Sequence, residues 1–278
     1  MDTLATLKTR RQARFEEFKK DLNVSRLTKD VCQLTDQQLL LAWQESGLEK
    51  YAALVAVGGF GRGELFPYSD VDILVLLSEK LSAEDLSIVN PKVEAFITRC
   101  WDLGIEIGSS VRNIDECLQE AAADITVRTS LLESRWIGGD KKLYRRFLVQ
   151  FDAAMDAKAF YQAKLLELRQ RHHKHNDTPY SLEPNCKESP GGLRDLQMIQ
   201  WIGKSHIAKF NLEKLNQRKY LDKQNYQKLI KTDLFFKNLR ILLHITAKQN
   251  EDRLLFDYQN QLGLLLKYKN SPYKKRSE

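Results

Sequence analysis

The stretch Val55-Ala-Val-Gly-Gly-Phe-Gly-Arg-Gly-Glu-Leu-Phe-Pro-Tyr-Ser-Asp-Val-Asp-Ile-Leu-Val-Leu-Leu77 constrains the fold more than any other part of the chain. It reads as a strand, a glycine turn, a short connection and a second strand that opens on Asp70 and Asp72. Side chains alternate along a strand, so two aspartates spaced i, i+2 point to the same face. Two carboxylates side by side repel each other unless a cation lies between them. Neither suits the mouth of a buried strand without something to compensate its charge. A glycine turn close by offers backbone amides to an anion. Glycines for phosphate and paired carboxylates for magnesium are the equipment of a nucleotide-handling site.

Each half of this pattern is weak alone. Gly58-Gly59 by itself suits an ordinary turn, and Ser-Asp-x-Asp can cap a loop. The order of strand, Gly-Gly, about ten residues and Asp-x-Asp carries the signal. Two phosphate motifs are excluded. Gly59-Phe-Gly61-Arg-Gly63 is not G-x-x-x-x-G-K-[ST], and it leaves the G-x-G-x-x-G register after Gly61. A dinucleotide site would also need its acidic residue about 20 positions on, at the end of the second strand rather than its start.

The 278 residues suffice for a sizeable core and one or two domains. No apolar run approaches the roughly 18–20 residues that span a bilayer, and the N-terminus lacks a signal-peptide core. Cys32, Cys100, Cys117 and Cys186 show no C-x-x-C spacing. Neither zinc nor a disulfide framework is expected, and a reducing cytoplasm is the expected compartment. The net charge of +7 suggests attraction to an anionic partner, although part of it lies in the tail Lys267–Glu278, which reads as a solvated end.

Residues 4–49 read as helical, with a second run Gln37–Glu49 opened by a capping box at Thr35–Gln38. Residues 51–57 and 71–77 are short apolar runs that suit buried strands. A helix is expected over 83–101, split or kinked at Pro91. A third strand is expected over Leu103–Arg112, a short helix over 114–123, and another strand from Thr129 to Ile137, closed by Gly138-Gly139-Asp140. Segments 141–174, 195–209, 222–249 and 252–266 have helical periodicity. Between them runs a Pro- and Gly-bearing interruption from Asn176 to Arg194. The chain thus divides into a helical arm (1–49), an α/β core (50–140) and a helical domain (141–278).

Gly-Gly followed by Asp-x-Asp on the next strand resembles the nucleotidyltransferase superfamily with the polymerase β-type palm. Within it, Gly58-Gly-Phe-Gly-Arg-Gly-Glu-Leu-Phe-Pro-Tyr-Ser-Asp-Val-Asp72 is similar to the bifunctional uridylyltransferase/uridylyl-removing enzymes. Leu182-Glu-Pro-Asn-Cys-Lys-Glu-Ser-Pro-Gly-Gly-Leu-Arg-Asp-Leu-Gln197 and Glu251-Asp-Arg-Leu-Leu-Phe-Asp-Tyr-Gln259 resemble later parts of the same family. The resemblance runs from about residue 30 to 266. It implies an α+β fold: a small mixed sheet with helices forming the palm, an N-terminal helical arm and a C-terminal all-helical domain.

It also implies transfer of UMP from UTP to a tyrosine of a PII-like nitrogen-signalling protein, with release of pyrophosphate. The metal would be magnesium, or manganese, as two ions about 3.5–4 Å apart. Asp70 and Asp72 would hold them, and Gly58, Gly59 and Ser69 would meet the nucleotide. Arg62 would neutralise the leaving pyrophosphate or else pair with Glu64. Such palms take a third carboxylate from a neighbouring strand, where it binds metal and accepts the hydroxyl proton. Glu106 is the candidate, with Asp102 and Glu133 as rivals. Neither membrane nor nucleic acid is an expected partner.

The family's enzymes continue into an HD phosphohydrolase domain and two ACT domains. Neither fits in 278 residues, and no His-Asp pair could build an HD site. Uridylyl removal and glutamine sensing are therefore expected to be absent from this chain, which reads as an excised half or a natural short form. Three groups stay open. Lys187 and Arg194 would meet triphosphate or an acidic partner, and Asp195 would cap a helix. His172, His173 and His175 suit a solvated loop better than a metal. Arg240, His244 and Lys248 share a helix face, for a nucleotide or partner contact or simply an exposed basic surface. Two other functions compete with UMP transfer: a nucleotidyltransferase with another nucleotide or acceptor, such as protein adenylylation, and a non-catalytic nucleotide- or PII-binding module.

Overall fold

The apolar runs on either side of the glycine turn form the two central strands of a four-stranded sheet. A computed structural model of the protein describes residues 4–207 and 210–270. Strand β1 (Ala52–Ala56) pairs antiparallel with β2 (Val71–Leu77), Ala56 opposite Ile73. On the far side of β2, β3 (Ile107–Arg112) runs parallel to it, and β4 (Arg135–Gly139) pairs antiparallel with β1. The order is β3-β2-β1-β4, so the sheet is small and mixed. With the helices around it, the fold is of the α+β palm type.

Two units divide the described chain. The first holds the chain up to Glu16, Ser25–Leu65 and Ser69–Met155; the second holds Glu17–Val24, Phe66–Tyr68 and the chain from Asp156 onward. In the first, Ala53, Val55, Leu74 and Leu76 pack against one helical layer. That layer comprises α5 (Ile114–Ala123), α6 (Ile125–Leu132) and α7 (Lys141–Ala153), which bring Ile114, Cys117, Leu131, Phe147 and Phe151. The alternate residues Leu54, Ile73 and Val75 are equally buried. Burial on both faces accounts for the unbroken apolar runs. From the long helix α2 (Val24–Ser46), Trp43 meets Phe96 of α4 (Ala83–Asp102) edge to face at 5.2 Å, and Leu40 and Trp43 pack where Gly138 has no side chain. A first helix, α1 (Leu4–Asp21), precedes α2.

Several expected boundaries move, each for a local reason. Thr35 opens no helix: it lies inside α2, and its hydroxyl donates to the Val31 carbonyl at 2.9 Å. Pro91 sits on the exposed side of an unbroken α4. Residues 103–106 form the turn that follows α4 rather than strand, with the amide of Gly104 bonded to the Trp101 carbonyl at 2.8 Å. Thr129–Leu132 is helix, because Asp124 caps α6, the Thr129 hydroxyl turns back to the Ile125 carbonyl and Leu131 enters the core. The 141–174 segment breaks after Ala153, where Asp156 caps α8 (Ala157–Lys174).

The second unit contains α8, α9 (Leu193–His206), α10 (Glu213–Gln217), α11 (Lys223–Ala247) and α12 (Phe256–Leu265). The Pro- and Gly-bearing interruption is ordered by backbone bonds to the α11–α12 connection: Cys186 donates to Asp252 at 2.8 Å and Leu254 to Pro184 at 2.9 Å. Lys274, Lys275 and Arg276 of the basic tail lie outside the described residues.

Candidate active site

Asp70 immediately precedes β2 and Asp72 is its second residue, with Val71 between them buried in the core. Alternation therefore turns both carboxylates away from the core side that Val71 fills. The parallel register with β3 sets Asp72 beside Gly108 and Val71 beside Ile107, and the Val71 amide donates to the Glu106 carbonyl at 2.9 Å. Glu106 is thus held at the head of β3, next to the head of β2. Asp70, Asp72 and Glu106 line one open pocket of about 310 Å³ with Trp101, Ile107 and Gly108. Of the rival carboxylates, Asp102 is not among its lining residues, and Glu133 is buried beside Arg62.

The glycine turn is a single short helix, α3 (Gly58–Gly61), joined to β2 by a bond from the Val57 amide to the Asp72 carbonyl at 3.0 Å. Gly58 adopts φ +56°, a left-handed conformation that suits glycine, and a β-carbon there would stand 3.4 Å from Asp72 Oδ2 and from Ser130 Oγ. Gly61 is structural: a β-carbon would lie 2.0 Å from the Glu133 carbonyl oxygen. Across the strand, a β-carbon on Gly108 would stand 2.6 Å from Asp72 Oδ1. The Asp72 carboxylate therefore occupies a slot between two glycines on neighbouring elements.

Of the two roles open to Arg62, the structure favours the bridge. Its side chain is 9% exposed, its Nε donates to Glu64 Oε2 at 3.0 Å, and its Nη1 is bound to Glu133 Oε2. Burial works against the charge, but Glu133 and Glu64 together hold the guanidinium pKa above its ordinary value. Ser69, next to Asp70, has an enclosed hydroxyl with no hydrogen-bond partner among the described residues. Arg11 of α1 carries no sequence motif and was not expected near the site. Its Nη2 donates to Thr35 Oγ1 at 3.1 Å; burial lowers its pKa and the charge of Glu106 raises it. Gly108 and Arg11 are thus two residues that a search for motifs passes over. One has no side chain, and the other lies 95 positions upstream of Glu106.

Lys187 and Arg194 belong to the second unit, where both are engaged. Lys187 Nζ lies 3.5 Å from Asp252 Oδ2, and burial and the neighbouring Arg240 lower its pKa. Arg194 bonds Glu188 at 3.1 Å and Gln197 at 2.9 Å, over the ring of Trp201. Asp195 is not the helix cap: Gly192 is, and Asp195 reaches back from the third position to the Gly191 amide at 2.7 Å. It also binds Arg171 at 2.6 Å and His172 at 3.1 Å. Burial opposes its charge, yet these partners hold its carboxyl below the usual range. His173 lies exposed near Asp177 and His175 ends α8.

The expected basic face of α11 is instead a buried polar cluster. Arg240 Nε donates to Asp252 Oδ1 at 2.6 Å, and His244 Nε2 lies 3.1 Å from the same oxygen. His244 Nδ1 is bonded to the Pro67 carbonyl, while Arg240 lies over the Phe66 ring at 4.3 Å. Lys248 closes the helix in a left-handed conformation.

The pocket's donor set is oxygen only, which suits magnesium or manganese rather than zinc. The slot at Gly58 and Gly108 leaves Asp72 room to present its carboxylate. Among the described residues no three His, Cys, Asp or Glu side chains close around a single point. A hard cation there would draw further oxygens from a bound phosphate, as such ions do in nucleotide sites.

Residues 37–132 match the nucleotidyltransferase domain family, and residues 159–278 match the family described as GlnD PII-uridylyltransferase. Bifunctional uridylyltransferase/uridylyl-removing enzymes of Ralstonia nicotianae and Cupriavidus pinatubonensis are each 47% identical over 272 residues, 98% of this chain and 31% of theirs. That of Burkholderia mallei is 48% identical over 261 residues, 94% of this chain and 30% of its own. The chain thus spans about a third of the length of the curated relatives it matches. The resemblance read from the blocks at 58–72, 182–197 and 251–259 is borne out. Among the described residues no helix is long and apolar enough to cross a membrane.

Proposed function

We propose, from the chain's similarity to uridylyltransferase/uridylyl-removing enzymes, that it transfers UMP from UTP to a tyrosine hydroxyl of a PII-like signalling protein. The observation that carries this reading is the meeting of Asp70, Asp72 and Glu106 around one pocket, with Asp72 slotted between Gly58 and Gly108. Asp70 and Asp72, with Glu106 beside them, would hold magnesium or manganese together with oxygens of the bound phosphates. Bound there, two such ions neutralise charge on the phosphate oxygens and acidify the attacking hydroxyl.

The protein's own groups then divide the work. The chain around Gly58 and Gly59, at the start of α3, has helix-start amides to direct at the leaving phosphates. Glu106 takes the acceptor's proton as the new bond forms between its oxygen and the α-phosphorus. The bond from that phosphorus to the bridging oxygen breaks, and pyrophosphate departs. Arg62 contributes indirectly, by fixing α3 against Glu133 and Glu64. Four buried, free cysteines suit a reducing cytoplasm.

The test is incubation with UTP labelled at the α-phosphate, magnesium and a PII-type protein. Label is expected on the acceptor, and its transfer is expected to vanish in Asp70→Asn and Asp72→Asn while circular dichroism and melting are unchanged. Retained transfer in both variants overturns the reading.

A further inference from the structure

Trp101 stands near the end of α4, off the stripe of Val89, Val93, Phe96 and Cys100 that the helix buries. More than half of its surface, 55%, is exposed, although tryptophan has the most to gain from burial. It lines the pocket that holds Asp70, Asp72 and Glu106. Single exposed hydrophobic residues are common on protein surfaces. An indole beside three carboxylates in one pocket is a more specific arrangement.

The two sides of Asp72 differ. Oδ2 faces Gly58, which follows β1; Oδ1 faces Gly108, on β3. Since β2 lies between β1 and β3, the glycine helix and the group Trp101, Glu106 and Gly108 flank the aspartates from opposite sides. In phosphoryl transfer the attacking and leaving oxygens lie roughly in line, on opposite sides of the phosphorus. With the leaving phosphates on the Gly58 side, the attacking hydroxyl enters from the β3 side, past Trp101. The chemistry of that entrance is an indole face beside Ile107 and Gly108, with a carboxylate at its end. A serine or threonine hydroxyl would leave the indole without a partner. A phenol would lay its ring on the indole and carry its hydroxyl to Glu106.

We propose that Trp101 is the acceptor-side contact of this site: its indole takes the ring of the incoming phenolic side chain and aims its hydroxyl at Glu106. The proposal rests on the UMP-transfer reading above. As the phenolic oxygen bonds to the α-phosphorus, its proton passes to the Glu106 carboxylate and pyrophosphate leaves with the broken bond's electron pair.

The experiment compares the full chain with Trp101→Ala and Trp101→Phe, varying a PII-type acceptor at saturating UTP and then UTP at saturating acceptor. Trp101→Ala is expected to raise KM for the acceptor tenfold or more, to leave KM for UTP within twofold, and to melt as the unsubstituted chain does. Trp101→Phe is expected to recover most of the loss. A rise in KM for UTP alone would mark Trp101 as a platform for the base and overturn the proposal, as would no change in either constant. An unsubstituted chain that transfers no UMP overturns the underlying reading, and the proposal with it.

Discussion

Asp72 and Gly108 are register partners on β2 and β3, and the space a β-carbon on Gly108 would fill is taken by the Asp72 carboxylate, 2.6 Å away at Oδ1. The obstacle is the end of a side chain rather than backbone. A methyl group placed there pushes the carboxylate aside without forcing the strands apart. The same pair therefore separates what the fold needs from what the chemistry needs.

Gly108→Ala is expected to fold and melt like the unsubstituted chain while losing transfer by about 100-fold, the cost of a displacement near 1 Å in a reacting geometry. Manganese affinity, followed by electron paramagnetic resonance in the presence of UTP, should fall with it. Unchanged activity would show that Asp72 has slack in its slot.

Arg62 and Glu133 make the opposite case, a pair that serves the fold. Arg62→Met removes the guanidinium from beside the buried Glu133 carboxylate, and breaking a buried pair costs about 3–5 kcal/mol. For a chain of this size that lowers the melting temperature by about 10 °C. The double variant Arg62→Met/Glu133→Gln removes both charges and is expected to recover much of the loss. A single variant that melts normally would return Arg62 to the list of groups free to meet phosphate.

Glycine spacing, paired aspartates and continuous apolar runs made the palm legible, because each reports a local requirement of strand or turn. Glu106 was legible as the polar member of an apolar segment, although its place at the head of β3 depends on the parallel pairing of β2 and β3. What stayed hidden was set by distant partners. Helical spacing put Arg240 and His244 on one face, but no period reveals that Asp252, beyond the end of the helix, turns that face inward. Thr129–Leu132 carries strand-like residues, and the Asp124 cap and the packing of Leu131 decided for helix. Gly108 sat in a segment correctly read as extended. Its meaning lies in the carboxylate on the next strand, which sequence separation conceals.

The four cysteines provide a test of the core that needs no substrate. Burial pushes the Cys32 thiol up to about 11 and those of Cys100, Cys117 and Cys186 to about 12. At pH 8 the reactive thiolate is then about one part in a thousand or less. Ellman's reagent is expected to titrate almost no thiol in the native chain within minutes, and four in guanidinium chloride. Rapid reaction of even one thiol in the native chain would place that cysteine outside the core described here.

Asp252 sets a pH dependence whose direction can be stated. Burial would raise its carboxyl pKa, but His244, Arg240 and Lys187 outweigh burial and hold it well below the usual carboxylate range. A depressed folded-state pKa means that the unfolded chain binds the proton more readily. The stabilisation is therefore complete above the unfolded value near 3.9 and is lost as the pH falls from there through the folded value. The groups facing Asp252 within this cluster are the cations Arg240 and Lys187 and the His244 ring. Asp252→Asn keeps the shape and removes the negative charge that faces Arg240, Lys187 and the His244 ring. It is expected to cost about 3–5 kcal/mol at neutral pH, and to cost progressively less below about pH 4, where the native carboxyl loses its advantage. Urea midpoints for both chains between pH 3 and pH 7 give the comparison. A difference that does not shrink toward acid would mean that the carboxylate's charge is not what holds Arg240 and His244 in place.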